Sequence, residues 1–92
     1  MWWAMDIVIF YSSRDRAALE GVVAKGPCEC LASSMDREGQ PDGHVRLLDC
    51  VQVVRVSESA GAVVLGELEQ LRIRVGTGRL RYVVISHGSS TR

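Results

Sequence analysis

The sequence predicts one small domain of the α+β class, in which strands and helices share a single core. The 92 residues are 47% hydrophobic and 24% charged, which is typical of a globular chain. Short runs rich in β-branched residues are separated by segments whose apolar residues recur at helical spacing. There is no internal repeat and no linker, so we expect residues 1–92 to form a single domain, with 1–4 and 88–92 frayed.

The charge balance and the cysteine usage exclude several classes of protein. Eleven basic residues balance eleven acidic ones, which argues against a general affinity for nucleic acid. No apolar stretch approaches the roughly 20 residues that a membrane span requires, and residues 1–6 lack the basic residues of a secretory signal. Three cysteines do not suggest a disulfide framework. We therefore expect a cytoplasmic protein without membrane contact.

The first elements are a strand and a helix. Residues 6–11 form a β-branched and aromatic run that is apolar on both faces, which predicts a central strand. Ser12 and Asp15 have the spacing of a helix capping box, and apolar residues then recur at helical spacing as far as Val23. The Gly-Pro pair at 26–27 predicts the end of this helix.

The middle of the chain allows two interpretations. Residues 28–32 predict a short strand, 33–43 a turn-rich loop, and 45–56 a second central strand. In residues 57–71 the apolar spacing favours a helix, although two glycines each cost about 1 kcal/mol relative to alanine. The alternative is a strand within 57–71, which would make the fold a mostly β meander with one N-terminal helix.

The last segment predicts a β-hairpin. Residues 71–75 and 80–86 alternate apolar and polar side chains around the Gly-Thr-Gly turn at 76–78. The order of elements then resembles the ferredoxin-like βαββαβ arrangement, with the last strand elaborated into a C-terminal β-hairpin. This resemblance is one of architecture, and no residue motif indicates a particular family.

The hairpin predicts a binding surface. A hairpin loop with an even number of residues would place four arginines on one sheet face and two apolar residues at the far end of that face. Like charges that face each other across a hairpin are destabilising, so we expect an anion to offset the charges of these arginines. Glu67 and Glu69 could supply that anion, or a partner could. A surface that is both basic and apolar fits a protein partner or a homo-oligomer better than nucleic acid. The predicted partner-binding residues are Arg72, Arg74, Arg79, Arg81, Val83 and Ile85.

These observations favour a small non-catalytic binding module that uses no cofactor. It would act as a protein-protein interaction domain, an inhibitor or an adaptor. Nucleic acid is the less favoured partner, because the predicted arginine face carries no aromatic stacking residue and the chain has no net basic charge.

One alternative is a metal or thiol-redox module. Cys28 and Cys30 would point to the same side of a strand, and His44 could complete a metal site. Structural zinc sites usually place their cysteines on turns, so core roles are favoured for these residues. Cys50 lies between apolar residues and is expected in the core.

A further alternative is a small enzyme around His87. Serines at 12–13 follow the first predicted strand, and His87 follows the last one, which would allow a nucleophile and a base to meet. The sequence contains no strained nucleophile elbow, and no acid is obviously placed to orient the histidine. A binding function is therefore favoured over catalysis.

Overall fold

In the part of the chain that it describes, the structure, a computed structural model, contains four strands and two helices. It describes residues 4–24 and 48–87, and the backbone alone of 28–35. The α+β class is confirmed. The elements are β1 (Met5–Tyr11), a 3₁₀ turn (Ser13–Asp15), α1 (Arg16–Val23), β2 (Cys28–Met35), β3 (Cys50–Val56), α2 (Glu58–Val75) and β4 (Leu80–Ser86).

The strands form one antiparallel sheet in the order β2-β3-β1-β4. Both strands predicted as central, β1 and β3, are inner strands of this sheet. Strand β3 begins at Cys50 rather than at 45, and residues 36–47 lie outside the described residues. Strand β2 extends to Met35, into the segment predicted as loop. The two edge strands are therefore β2 and β4.

Helix α1 begins differently from the predicted capping box. The Ser12 hydroxyl accepts a hydrogen bond from the Arg14 N–H at 3.4 Å, and this caps the 3₁₀ turn. The carboxylate of Asp15 does not complete a box, because it accepts two bonds from the Arg79 guanidinium. A long-range ion pair has replaced the local cap.

Helix α2 includes the whole of 57–71 except its cap, so the mostly β alternative is wrong. The Ser57 hydroxyl accepts a hydrogen bond from the Ala60 N–H at 3.3 Å and begins the helix. The helix continues to Val75 and ends at Gly76, whose φ of 109° is rarely adopted by residues with a side chain. The predicted β-hairpin is therefore also wrong, because 71–75 complete a helix.

The packing of α2 explains why its glycines do not end it. A Cβ at Gly61 would lie 2.9 Å from the Met5 Sδ, so glycine lets the helix approach the sheet closely. The other glycine, Gly66, is exposed and has no near neighbours, so it costs no packing. Within the described ranges, no helix has both the length and the apolar character to cross a membrane. The buried residues of α2 follow helical spacing: Ala60, Gly61, Val64, Leu68 and Leu71.

The two faces of the sheet differ in what covers them. Alternate residues of β1, β3 and β4 point to opposite faces. One face packs against both helices and forms the core, which includes Ile7, Ile9, Tyr11, Leu19, Val22, Cys50, Val54, Val56, Val64, Leu68, Leu71 and Leu80. We call the other face the open face. Its described residues are Asp6, Val8, Phe10, Val51, Val53, Arg55, Arg81, Val83 and Ile85.

Candidate binding surface

The four arginines predicted on one sheet face lie on different elements. Arg72 and Arg74 belong to the end of α2, because 71–75 are helical. Arg79 precedes β4, and Arg81 lies within it. The prediction that the four arginines share one sheet face is thus wrong, although their role in partner binding stays a prediction. Three of the six predicted binding residues share the open face: Arg81, Val83 and Ile85.

Arg79 forms an ion pair with Asp15 inside the fold. Its Nη2 lies 2.6 Å from the Asp15 Oδ1, and its Nε lies 3.1 Å from the Oδ2. This is the bidentate geometry that a guanidinium forms with a carboxylate. The Asp15 side chain is only 8% exposed. The pair therefore ties the chain between α2 and β4 to the beginning of α1.

Arg72 also has an internal partner, in Glu69 on the preceding turn of α2. The Arg72 Nη2 donates to the Glu69 Oε2 at 2.7 Å, and the Tyr82 hydroxyl donates to Oε1 at 2.7 Å. Hydrogen bonds first from Arg72 and then from Tyr82 lower the pKa of Glu69 to about 2. The bond to Glu69 in turn raises the pKa of the Tyr82 phenol. This cluster joins α2 to β4.

The Glu69 carboxyl is expected to titrate well below its ordinary pKa of 4.5, at about 2. Since its folded pKa is depressed, its stabilising contribution is present above pH 4.5 and is lost as the pH falls towards about 2. Carboxyl chemical shifts measured by NMR against pH would show this directly. Arg72→Gln should move the Glu69 titration upward more than Tyr82→Phe does, because Arg72 is the larger cause. Equal small shifts in both variants would contradict the assignment.

A cavity of about 330 Å³ lies beside this cluster, at the edge of β4. It is lined by Glu69, Arg72, Arg81 and Tyr82. Arg72 forms an ion pair with Glu69, whereas Arg81 forms no ion pair with any described residue. The cavity therefore holds a guanidinium that no described carboxylate neutralises and that an anionic group could bind.

The open face is mostly apolar and is uncovered by any described residue. Val83 is 53% exposed, Ile85 is 51% exposed, and Phe10 beside them is also exposed. Val8 pairs with Val83 on one side and with Val53 on the other, and both Val8 and Val53 are half-buried. Contiguous exposed apolar residues of this kind mark interaction surfaces.

Asp6, Arg55 and His87 form a charged cluster at one end of the open face. The Arg55 Nε donates to the Asp6 Oδ1 at 2.8 Å, and the His87 Nε2 lies 2.9 Å from the same oxygen. The hydrogen bond from Arg55 is the main cause that lowers the pKa of Asp6. No local sequence pattern indicates Asp6 as a partner of His87, because 81 residues separate them and only the pairing of β1 with β4 brings them together.

The structure corrects the arrangement on which the enzyme alternative relied. Ser12 and Ser13 follow the end of β1, whereas His87 lies beside the start of β1, because β4 runs antiparallel to it. Seven strand residues at about 3.3 Å each separate these ends by roughly 20 Å. Ser13 donates instead to the Asp49 carboxylate, through its N–H at 2.8 Å and its hydroxyl at 3.1 Å. The serines and the histidine, which the enzyme alternative required to meet, therefore lie at opposite ends of β1.

The cysteine predictions are tested only in part. Cys50 is buried in the core as predicted, and this burial raises the pKa of its thiol. Cys28 and Cys30 belong to β2, but their side chains and the whole of His44 lie outside the described residues. Among the side chains that the structure does describe, no three potential ligands group together as a metal site. The metal or thiol-redox module stays a prediction.

Comparison with known proteins identifies structural neighbours. No protein-family model matches the sequence, and no curated protein shows significant similarity to it. A provisionally assigned PII-like signalling protein from Thermus thermophilus superimposes with a TM-score of 0.55 at 12% identity, covering 91% of this chain and 86% of that one. CPII bound to ADP and bicarbonate, from Thiomonas intermedia, gives a TM-score of 0.50 at 14% identity, covering 95% and 90%. At these identities the similarity concerns the fold.

Proposed function

We propose that this protein is a ferredoxin-like, non-catalytic binding module that self-associates through the open face of its sheet. The element order and the antiparallel strand order support the ferredoxin-like arrangement. One structural neighbour is described as a PII-like signalling protein and the other as bound to ADP and bicarbonate, which is consistent with a binding role in general. The observation that carries the proposal is the apolar surface of the open face, which none of the described residues covers.

An uncovered apolar sheet face is unusual in a protein that acts alone. A sheet of this kind normally buries one face in the core and presents polar side chains on the other. Here the second face presents Val8, Phe10, Val83 and Ile85 instead. These side chains are already partly buried, so burial of the remainder would contribute roughly 1 kcal/mol for each of them. The open face therefore favours association with another apolar surface.

A second copy of this chain is the occupant that the charges favour. Asp6 and Arg55 neutralise each other within the open face, so its centre and one end carry little net charge. Besides this pair and the neighbouring titratable His87, Arg81 is the only charged residue among the described members of the face, and it lies on the edge strand β4 at the other end. A nearly neutral apolar face is complementary to an identical face, and two sheets can pack at about 10 Å in this way. Such a two-fold contact is the commonest form of oligomer.

Val83→Glu is expected to convert the oligomer into a monomer. The substitution places a charge among the exposed apolar residues of the open face, and a two-fold interface contains it twice. Val83 is already about half-buried, so loss of two valines corresponds to about 1.5 kcal/mol, or roughly tenfold in the dissociation constant, and the two buried charges increase the loss further. Molar mass from light scattering during gel filtration would measure the change.

Val63→Glu is the matched control for this experiment. Val63 is 50% exposed on α2, so it introduces the same side chain at a similar exposure away from the open face. We expect this variant to keep the wild-type mass. A monomeric wild-type protein, or equal effects of both variants, would overturn the proposal.

A further inference from the structure

Strand β4 is an edge strand whose outer flank is open. It lies at the end of the strand order and pairs with β1 alone. Among the described residues, no backbone group of another element bonds to this outer flank. Natural proteins usually protect such an edge with proline, several charges or a bulge. From Leu80 to Ser86, β4 has no proline, no bulge against β1, and Arg81 as its one charge.

The register identifies the backbone groups that point outwards. The His87 N–H donates to the Ala4 carbonyl at 2.9 Å, in register with the β1–β4 pairing. Because successive residues of a strand direct their backbone groups to opposite sides, Tyr82, Val84 and Ser86 direct theirs away from β1. These residues offer a row of donors and acceptors to an added strand.

The side chains along this edge define what such a strand should carry. At one end, the Arg81 guanidinium, which pairs with no described carboxylate, lines the cavity that Glu69 and Arg72 also border. Towards the other end the side chains are apolar, and Val84 is 39% exposed although it points to the helical side of the sheet. An added strand would therefore meet a cation first and apolar residues beyond it.

We propose that the outer edge of β4 binds an extended peptide segment of another protein as an additional antiparallel strand. This segment would combine an acidic residue with a run of apolar residues. Main-chain hydrogen bonds to the edge would supply the affinity, and side-chain contacts the specificity. An acidic residue of the peptide would lie opposite Arg81, and apolar residues would lie opposite Val83, Val84 and Ile85. Val83 and Ile85 border both this site and the proposed self-association surface, but the backbone groups of the edge lie outside the open face, so stacking of a second copy leaves them accessible.

A labelled peptide with the central sequence Val-Ile-Val-Thr-Glu-Thr tests this proposal. In antiparallel pairing, its glutamate lies opposite Arg81 and its first valine opposite Ile85. We expect saturable binding by fluorescence anisotropy, and about tenfold weaker binding when lysine replaces the glutamate, because like charges then face each other. In Arg81→Glu the preference between the two peptides should reverse. Absence of this reversal would overturn the assigned position of the acid.

Val84→Pro tests the role of the backbone. The substitution removes an N–H that points away from β1, which an edge strand tolerates, and should weaken binding about tenfold or more. Val84→Ala keeps the N–H and is the matched control, for which we expect a change of less than about threefold. Equal binding by both variants would contradict strand addition.

The two proposals fail in distinguishable ways. A monomeric wild-type protein that still binds the peptide would refute self-association and leave the edge site intact. The wild-type protein could instead be an oligomer that does not bind the peptide. If Val84→Pro then dissociates this oligomer and Val84→Ala does not, the edge binds a second copy of the chain. That outcome would overturn the peptide proposal.

Discussion

Replacing Arg79 by methionine should lower the free energy of unfolding by about 3 kcal/mol, a value near the lower end for breaking a buried pair. The substitution keeps most of the apolar stem but leaves the Asp15 carboxylate without its bidentate partner. That carboxylate is almost completely buried, so water cannot replace the lost hydrogen bonds. Urea unfolding followed by circular dichroism would measure the loss.

Arg81→Met is the matched control for the Arg79 substitution. It removes the same side chain two residues further along, where no described carboxylate binds it, and should change stability by less than about 0.5 kcal/mol. The double variant Asp15→Asn/Arg79→Met should be more stable than Arg79→Met, because the unpaired buried charge is gone. Similar stabilities for Arg79→Met and Arg81→Met would show that the Asp15 pair is dispensable.

Leu71→Ala should lower the free energy of unfolding by about 3 kcal/mol, whereas Ile73→Ala should cost less than about 0.5 kcal/mol. Leu71 is fully buried in the core, so its truncation leaves a cavity. Ile73 is 68% exposed on α2, and alanine is the better helix former there. The midpoints of urea unfolding for the two variants would give the comparison.

The same pair of variants distinguishes the helix from the hairpin. In a hairpin, Leu71 and Ile73 would lie on the same face of a strand, and both truncations would be costly. In α2 the two residues lie on different sides of the helix, and only one of them faces the core. Comparable losses for both variants would therefore contradict the helical assignment of 71–75.

The local patterns of the sequence identify most elements of this fold, but not the end of α2. Over five residues, an alternation such as that of 71–75 also occurs on one turn and a half of a helix, so the pattern alone does not distinguish the two. By propensity alone, the glycines at 61 and 66 favour a shorter helix. The structure shows that Gly61 permits close packing against Met5, a tertiary contact that local propensity does not contain.

Of the six residues predicted to form a binding surface, only those that belong to one strand lie on one face of the sheet. Val83 and Ile85 share a face with Arg81 because alternation within β4 fixes their positions. Arg79 and Asp15 are 64 residues apart, and Asp6 and His87 are 81 apart. No local spacing relates such partners, since each pair depends on how the strands are ordered in the sheet.

The pairing of β1 with β4 also has a consequence for how the chain folds during synthesis. Strand β1 is made first, yet both of its neighbours come much later, β3 at Cys50–Val56 and β4 at Leu80–Ser86. Contacts of such long sequence separation are slow to form. Strand β1 would therefore leave the ribosome long before β4 could pair with it. Until then, the nascent chain would expose the unpaired edges of this apolar strand to chaperones or to neighbouring chains.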